Sequence, residues 1–568
     1  MKMRTLALLL LAAAGLAALP AACGVKVTGK ATPAATATAA RPSAAPSPSP
    51  SAPPSASSAA SPSPSDAPLP TPTPTPTPSA EAAAARRAAA SVAVKAILPE
   101  FDAQAEDIFT RSQAPGAAVA VVAGDGAVYV RCFGVREVGK PEKVDKDTVF
   151  QLASISKSFT TTMLAALVTE REIAWDDPVE KYWPGFALWD PWVSRHVAFR
   201  DLMAQRSGLP EYAGDELEQF GYGRLEILRR LRYLEPVAGF RAAYAYQNAL
   251  PTAAAEGASR ATGLSWERLV RTRLLAPLGM SSTVLTYRAY LDALDRSGSH
   301  TLVNGTMQAG TPQDDDVMAP AGGVSSSIAD MVLYLRVQLN GGALAGVRVA
   351  GAEALAATHA ATTVIGDDEA GPTAYALGWQ THSYLGRRVV QHGGDFSAGV
   401  STMISMMPAD GVGIVVLTNA FPEGHALATA LTNTLYDLFI QGASQEDWLA
   451  EQQRLLQDAM KGSILDPYEH LPEVPPADAA SPRARVVYEG VYANAYYGNV
   501  TVKRGPGSGL SIKLGRGATL RYVPWDGDTW RQPETGTAAI FSVRDGRARS
   551  VRLMVLDFAG RDGRFARR

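Results

Sequence analysis

The chain has 568 residues, 46% hydrophobic and 19% charged, a balance typical of globular proteins. Its net charge is −2 and it has no basic block, which argues against nucleic acid as a partner. Two cysteines exclude a disulfide-rich scaffold, and the seven histidines show no metal-ligand spacing, so we expect no metal site.

The N-terminus has the pattern of an export signal. A short basic start precedes an apolar run from Leu6 to Leu19, which is too short to span a bilayer stably but suits a signal peptide. Small residues then lead to Cys23, as in bacterial lipoproteins, although Pro20 stands where that motif usually has leucine. We predict a signal peptide over residues 1–22 and lipidation of Cys23. The protein would then be a membrane-anchored lipoprotein of the cell envelope, with ordinary cleavage and secretion as the alternative.

Residues 23–80 are predicted to form a disordered linker rich in Pro, Ser, Thr and Ala. Residues 31–80 hold 15 of the 39 prolines and only two charged residues. Such a segment cannot bury enough apolar surface to form a core. In the polyproline II limit it would reach roughly 150 Å, at about 3.1 Å per residue. It would either space a domain away from a membrane or serve as a passive linker.

The folded part is predicted to be α+β, with helices flanking an antiparallel sheet in a domain over residues 81–445. Apolar residues three or four apart favour a first helix, and two apolar runs around Gly124-Asp125-Gly126 favour a β-hairpin. The predicted elements are a helix at 82–111, a hairpin at 117–130, a helical region at 158–360, strands at 388–391, 400–406 and 412–418, and a helix at 426–440.

A second, all-β domain is predicted at the C-terminus. Residues 446–485 have the pattern of a helical connector that ends in prolines. Over residues 486–568, short runs of β-formers alternate with glycine-rich turns, which indicates a small antiparallel barrel or sandwich. This domain would either shape the mouth of an active site or be a passive appendage.

Ser154-Ile155-Ser156-Lys157 forms a Ser-x-x-Lys tetrad just before an apolar helical segment. Three residues make about one helical turn, so Lys157 is expected beside the Ser154 hydroxyl. A neutral amine there could take the serine proton and make Ser154 a nucleophile. The spacing alone also arises by chance, and the alternative is an N-cap serine with a solvated lysine.

Two further motifs follow in the chain, Tyr246-Gln247-Asn248 and His392-Gly393-Gly394. The supporting segments, in chain order, are Trp175-Asp176-Asp177-Pro178, Ser207-Gly208-Leu209-Pro210, Pro277-Leu278-Gly279-Met280, Pro320-Ala321-Gly322-Gly323 and Leu377-Gly378-Trp379. Over roughly residues 95–440, this ordered set resembles the serine β-lactamase and penicillin-binding-protein superfamily, in particular its class C-like serine hydrolases.

The resemblance implies a role for each motif residue and no cofactor. Ser154 would attack a carbonyl and become acylated, while Lys157 and Tyr246 would share the proton transfers. Asn248 would hydrogen-bond the lysine and the substrate. The backbone amides of Ser154 and Asp395 would form the oxyanion hole. Because a phenol normally titrates near pH 10, Tyr246 would need an adjacent ammonium to act as a base.

The third motif departs from the Lys-Thr-Gly of many β-lactamases, because no lysine occurs between Lys181 and Lys461. His392 takes that place, with Gly393, Gly394 and Asp395 after it. A histidine is mostly neutral at pH 7, so the variant resembles esterases and D-amino-acid peptidases more than efficient β-lactamases. The alternative for His392 is a strand histidine that satisfies a local hydrogen bond.

These features predict an exported serine hydrolase that works through an acyl-enzyme. Its expected substrates are small esters and D-amino-acid amides or peptides, with β-lactams secondary. One rival is a catalytically degenerate penicillin- or peptidoglycan-binding envelope lipoprotein, and another is an adhesion protein based on the linker and β domain. The acidic triplet at residues 314–316 is expected to be a solvated loop.

Overall fold

The computed structural model describes residues 80–124, 126–368, 371–461, 470–557 and 560–568. The predicted export signal at 1–22, the predicted lipidation site Cys23, and residues 24–79 of the predicted linker lie outside the described residues. Ala80 is the first residue of the first helix, α1 Ala80–Ser112.

A sheet of eight strands forms the centre of the larger part of the molecule, in the order β2-β1-β14-β13-β12-β11-β10-β9, with antiparallel neighbours. Its strands are β1 Gly116–Ala123, β2 Gly126–Gly134, β9 Thr363–Asp368, β10 Gly371–Tyr375, β11 Gln380–Tyr384, β12 Arg387–Phe396, β13 Val400–Met407 and β14 Val412–Thr418. The other strands of this part are short: β3 Phe150–Gln151, β4 His300–Val303, β5 Thr306–Ala309, β6 Ser325–Ser326, β7 Ala343–Leu344, β8 Val347–Arg348 and β15 Ala420–Phe421. They form the pairs β3-β6 and β7-β8 and a three-stranded sheet in the order β15-β4-β5.

Helices cover both faces of this sheet. The α-helices are α1 Ala80–Ser112, α2 Ser156–Thr169, α3 Pro191–His196, α4 Phe199–Met203, α5 Arg224–Arg230, α6 Ala249–Thr262, α7 Trp266–Val270, α8 Ala276–Leu278, α9 Tyr287–Asp292, α10 Ala319–Gly322, α11 Ile328–Leu339, α12 Ala352–His359, α13 Glu423–Gln441 and α14 Trp448–Lys461. The turns of 3₁₀ helix are Ala153–Ile155, Val179–Lys181, Asp215–Phe220, Leu231–Tyr233, Asp316–Met318, Arg485–Val487 and Met554–Leu556, and Arg271–Leu275 is a π-helical turn.

Every residue of β1, β13 and β14 is buried. Strands covered on both faces need not alternate between apolar and polar residues, and β1 and β14 are nearly continuous apolar runs that the sequence pattern predicts as strands. On one face Val119 of β1 packs in a core with Phe101 of α1 and Leu431 of α13. On the other face Ala120 belongs to a larger core that includes Phe159 of α2. The predicted α+β fold is confirmed.

The C-terminal part is a closed antiparallel barrel of strands β16 to β23, which confirms the barrel-like prediction. Its strands are β16 Gly490–Asn494, β17 Gly498–Arg504, β18 Leu510–Leu514, β19 Thr519–Asp526, β20 Thr529–Arg531, β21 Ala538–Arg544, β22 Arg547–Leu553 and β23 Arg564–Arg567. β16 pairs with β23 and closes the ring, and Trp530 and Phe565 are fully buried. The predicted domain limits at residues 445 and 485 stay predictions.

Candidate active site

Ser154 lies in the 3₁₀ turn that runs directly into helix α2. The residue before it, Ala153, has a φ of 47°, in the left-handed region that residues with a Cβ seldom adopt. Such backbone strain persists only where the surroundings enforce it, and it concentrates at functional sites. The turn is held on the sheet by Thr402 of β13, whose Oγ1 donates to the carbonyl of Leu152 at 2.8 Å.

The Lys157 amine lies one helical turn from Ser154, as the tetrad predicted, and it is buried rather than solvated. Its Nζ is 3.0 Å from Ser154 Oγ, 2.7 Å from Asn248 Oδ1 and 3.1 Å from the carbonyl oxygen of Ala321. A neutral amine has two N–H donors and one lone pair. If the two carbonyl-type oxygens accept the N–H bonds, the lone pair faces the Ser154 hydroxyl.

Burial lowers the pKa of Lys157 to about 7, because an ammonium loses hydration in this site. The carboxyl groups of Asp315 and Asp215 act in the opposite direction and keep the pKa from falling further. A substantial fraction of the lysine is therefore neutral near pH 7, which is the form that accepts a proton.

The Tyr246 hydroxyl donates to Ser154 Oγ at 2.7 Å. Burial raises the pKa of Tyr246 well above its ordinary value, and the Lys157 Nζ lies 4.6 Å from the centre of its ring. A neutral phenol can donate a proton but is a poor base. The geometry thus favours Lys157 as the base and Tyr246 as the donor, whereas the sequence divided proton transfer between them.

Asn248 connects the lysine to a carboxyl group that the sequence motifs do not include. Its Nδ2 donates to Asp215 Oδ2 at 2.6 Å, while its Oδ1 accepts from Lys157. These two contacts fix the orientation of the amide. Burial raises the pKa of Asp215 to about 7, and the hydrogen bond from Asn248 opposes that rise.

Strand β12 passes directly against the nucleophile. A Cβ added to Gly394 would lie 2.2 Å from the carbonyl oxygen of Leu152 and 3.0 Å from the Ser154 nitrogen, so only glycine fits. Asp395 follows on the same strand, paired in register with Ser401 of β13. This places the strand segment predicted to supply the second oxyanion amide beside the first amide, that of Ser154.

We expect Gly394→Ala to lower the acylation rate by about 10²-fold or more, because the methyl group must displace the Leu152 carbonyl and so disturb the turn that carries the Ser154 amide. One lost oxyanion donor typically costs that much. Gly393→Ala is the matched control. Its Cβ would meet only Met403 Cε at 3.6 Å and Thr402 O at 3.8 Å, both ordinary contacts. Labelling rates with a fluorophosphonate probe measure both variants, and equal losses in the two would contradict the expectation.

His392 lies on β12 and is buried, with both ring nitrogens engaged by the protein. Its Nδ1 is 2.6 Å from the carbonyl oxygen of Gly393 and must donate, so Nε2 accepts from the Tyr375 hydroxyl at 2.9 Å. Burial, reinforced by Lys157, lowers the pKa of His392 to about 3. The geometry favours the strand histidine with satisfied hydrogen bonds, and a substrate contact by His392 stays a prediction.

The Asp395 side chain contacts helix α13 through His425, whose Nδ1 is 3.1 Å from Oδ2. Burial disfavours the imidazolium, but the Asp395 carboxylate outweighs it and raises the pKa of His425. The pair ties the end of β12 to the first turn of α13. His425 was not among the predicted site residues.

The prediction of a solvated loop at residues 314–316 is wrong for Asp315. A Cβ on Gly322 would lie 2.1 Å from Asp315 Oδ2, so this carboxyl packs against helix α10, next to the Ala321 carbonyl that faces Lys157. Burial raises the pKa of Asp315 to about 7. The run of three acids gave no sign of which one turns inward.

Among the described residues, no group of three His, Cys, Asp or Glu side chains could hold a metal ion.

An antiparallel sheet between helical layers, with a Ser-x-x-Lys pair at the start of a central helix, defines the β-lactamase and transpeptidase fold class. A model of the Beta-lactamase family matches residues 94–436, which is more than half of the chain. The chain therefore belongs to the β-lactamase family and is a serine hydrolase of that superfamily. Membership of the class C-like group stays a prediction.

The relatives include enzymes from fungi and bacteria. The unguisins hydrolase ungD' of Aspergillus campestris is 26% identical over 378 residues, which cover 64% of this chain and 70% of that protein. The D-alanyl-D-alanine-carboxypeptidase/endopeptidase AmpH of Escherichia coli is 27% identical over 57% of this chain and 86% of its own. The octameric penicillin-binding protein homologue from Pyrococcus abyssi shares the fold, with a TM-score of 0.55 at 20% identity, over 80% of this chain and 98% of its own.

Proposed function

We propose that this protein is an exported, lipid-anchored hydrolase that cleaves small carboxylic esters or D-amino-acid amides and peptides through an acyl-enzyme on Ser154. The observation that carries the proposal is the Lys157 amine, buried with a pKa lowered to about 7 and 3.0 Å from Ser154 Oγ. A nucleophile needs such a base to react near neutral pH.

In the proposed cycle, Lys157 takes the Ser154 proton as Oγ attacks the substrate carbonyl. The backbone amides of Ser154 and Asp395 stabilise the oxyanion. Tyr246 protonates the leaving group and regains a proton from the Lys157 ammonium. Water then attacks the acyl-enzyme with Lys157 again as the base, which releases the acid and restores Ser154. No step needs a metal or an organic cofactor.

The substrate class is supported by the third motif. Where many β-lactamases have a lysine that binds the substrate carboxylate, this chain has a His392 that is neutral and engaged with Tyr375 and Gly393. A neutral ring offers little attraction to a carboxylate. AmpH, named as a peptidase of D-alanyl-D-alanine, is a relative whose named substrate fits this class.

The test is turnover of three probes: p-nitrophenyl butyrate, D-alanine p-nitroanilide and nitrocefin, with Ser154→Ala protein as background. We expect the ester or the amide to exceed the β-lactam by about tenfold or more in kcat/KM, since one lost charge-assisted contact is worth about that factor. Faster turnover of nitrocefin than of both others would refute the proposed substrate class.

The export and anchoring part of the proposal depends on the N-terminal pattern. We expect metabolic labelling with a fatty acid to mark the wild-type protein in a bacterial host and to fail with Cys23→Ser. Equal labelling of both proteins would place the acyl chain elsewhere. A processed but unlabelled wild-type protein would support secretion instead.

The pKa values predict how the rate depends on pH. Because Lys157 must be neutral to act, fluorophosphonate labelling of Ser154 should fall as the pH drops through about 7. By about pH 5 only around one lysine in 10² would be neutral, so the rate should fall by about that factor. Circular dichroism at each pH controls for unfolding. A rate that stays constant from about pH 5 to 8 would contradict the assignment of Lys157 as the base.

A further inference from the structure

The barrel packs against a wall of the candidate active site formed by residues 211–222, which we call the wall segment. The Tyr222 hydroxyl donates to the carbonyl of Tyr497 at 3.0 Å, and the amide of Ala518 donates to the carbonyl of Gln219 at 2.8 Å. A Cβ on Gly517 would lie 1.9 Å from that same Gln219 oxygen. The two parts of the molecule therefore touch backbone to backbone along this segment.

Arg561, in the loop between β22 and β23, reaches from the barrel into the wall segment. Its guanidinium is 2.9 Å from the Glu216 carboxylate, and the two side chains are only 0% and 2% exposed. It also donates to the carbonyl of Glu211 at 2.5 Å. Moving the wall segment away from the barrel would leave a buried charge without its opposite charge, which is costly, so the ion pair favours the position seen here.

Tyr496, in the turn between β16 and β17, makes a second attachment. Its hydroxyl accepts a hydrogen bond from the Gly214 amide at 2.8 Å. Gly214 has a φ of 102° and stands directly before the 3₁₀ turn Asp215–Phe220. The barrel thus holds the residue on each side of Asp215, Gly214 through Tyr496 and Glu216 through Arg561.

Asp215 itself contacts the catalytic centre. It accepts from Asn248 Nδ2 at 2.6 Å, and the other end of that amide accepts from Lys157 Nζ at 2.7 Å. Arg561 and Glu216 also shift the pKa of Asp215 in opposite directions. The positive Arg561 favours the ionised carboxylate and the negative Glu216 disfavours it. A continuous set of contacts therefore joins the barrel to the lysine beside Ser154.

We propose that Tyr496 and Arg561 are positioning residues for the Lys157 amine, and that the barrel is required for hydrolysis because it holds Asp215 where it orients Asn248. This inference rests on the proposed function of Ser154 and Lys157. The proposed role differs from both roles expected for the C-terminal domain, a passive appendage or a cap on the mouth of the site. Here the barrel positions the residues that orient the Lys157 amine.

The test uses the full chain with Tyr496→Phe and measures the rate of fluorophosphonate labelling per folded molecule. Removal of the hydroxyl leaves the Gly214 amide without its acceptor and frees the turn before Asp215. We expect labelling to slow by roughly tenfold, the factor that an unsatisfied buried donor commonly costs. Tyr492→Phe is the matched control, because its buried hydroxyl donates to Tyr488 O within the barrel at 2.6 Å.

Arg561→Gln provides a second variant with a readout that general destabilisation does not move. Without the guanidinium, Asp215 loses support for its ionised form and raises the pKa of Lys157 less. The midpoint of the pH profile of labelling should therefore move to lower pH. Arg567→Gln is its control, because Arg567 donates within the barrel to Ala548 O at 2.9 Å.

If Tyr496→Phe labels as fast as Tyr492→Phe, and the pH midpoint of Arg561→Gln equals that of Arg567→Gln, the positioning role is wrong. Labelling of the wild type that persists in Ser154→Ala would instead refute the proposed function, and the inference with it. The Ser154→Ala control therefore separates the two failures. If Arg561→Gln does not fold, the comparison of Tyr496→Phe with Tyr492→Phe alone tests the positioning role.

Discussion

Ser154→Ala is expected to lower turnover of every substrate by at least about 10³-fold and to abolish fluorophosphonate labelling, because removal of a nucleophile leaves only binding and the oxyanion hole. Oγ is the atom on which the Lys157 amine and the Tyr246 hydroxyl converge, at 3.0 and 2.7 Å. Initial rates with p-nitrophenyl butyrate and intact-protein mass spectrometry after labelling measure the two effects.

Ser156→Ala is the matched control, since it alters a buried serine of the same tetrad. Its hydroxyl accepts from the Val324 amide at 2.9 Å and, among the described residues, is not a hydrogen-bond partner of the Ser154 hydroxyl or the Lys157 amine. We expect it to lose about 1–3 kcal/mol of stability, as for an unsatisfied buried donor, and to keep its labelling. If Ser154→Ala retained turnover and Ser156→Ala lost it, the nucleophile would be misassigned.

Lys157→Arg is expected to lower the acylation rate by about 10²- to 10⁴-fold, the usual contribution of a general base. A guanidinium keeps its proton at every working pH, so it can hold the charge of the site but cannot accept the serine proton. The distinguishing result is that raising the pH to about 9 restores no activity, whereas a merely weakened base would recover. Stopped-flow measurement of the acylation phase between about pH 6 and 9 gives the rate.

Lys157→Met is the companion variant, because a buried guanidinium could destabilise the fold and lower the rate for that reason alone. Methionine is close to lysine in length and carries no charge, so it removes the base without burying a cation. Thermal unfolding compares the stability of the two variants. If Lys157→Arg or Lys157→Met kept most of the acylation rate, Tyr246 would be assigned as the general base instead of Lys157.

The catalytic centre draws on both parts of the molecule, because the barrel contacts the wall segment on each side of Asp215. The Asp215 carboxyl is thus positioned by barrel residues that lie outside residues 94–436, the range that the family model matches. In the structure, Glu216 on the wall segment and Arg561 of the barrel lie 345 positions apart in the chain and form one buried ion pair. We expect variants at this interface to behave as active-site variants in kinetics.

Some of these features could be predicted from the sequence because their cause is local. The spacing of Ser154 and Lys157 is one helical turn, and a helix brings them together wherever it lies. The strands β1 and β14 could be predicted because burial of both faces favours nearly continuous apolar runs. The barrel was visible through regular β-forming runs between glycine-rich turns.

Other features depend on residues that the fold brings together from distant positions. Nothing local distinguishes Asp315 from the acids on either side of it, or indicates that Asp215 meets Asn248. Whether His392 binds a carboxylate or a neighbouring tyrosine depends on Tyr375, which reaches it only through the pairing of β10, β11 and β12. The left-handed φ of Ala153 likewise follows from packing against the sheet.

The amino-acid sequence was enough to nominate the residues of the proposed chemistry: Ser154 and Lys157 by their spacing of one helical turn, and Tyr246 and Asn248 by the resemblance of the ordered motifs to a known family. Their chemical state depends on the folded surroundings. The pKa of Lys157 falls to about 7 because the surrounding helices remove it from water, and Asp215 and Asp315 limit that fall. Desolvation and Coulomb interactions depend on distance in space rather than along the chain, so the fold decides which group is the base.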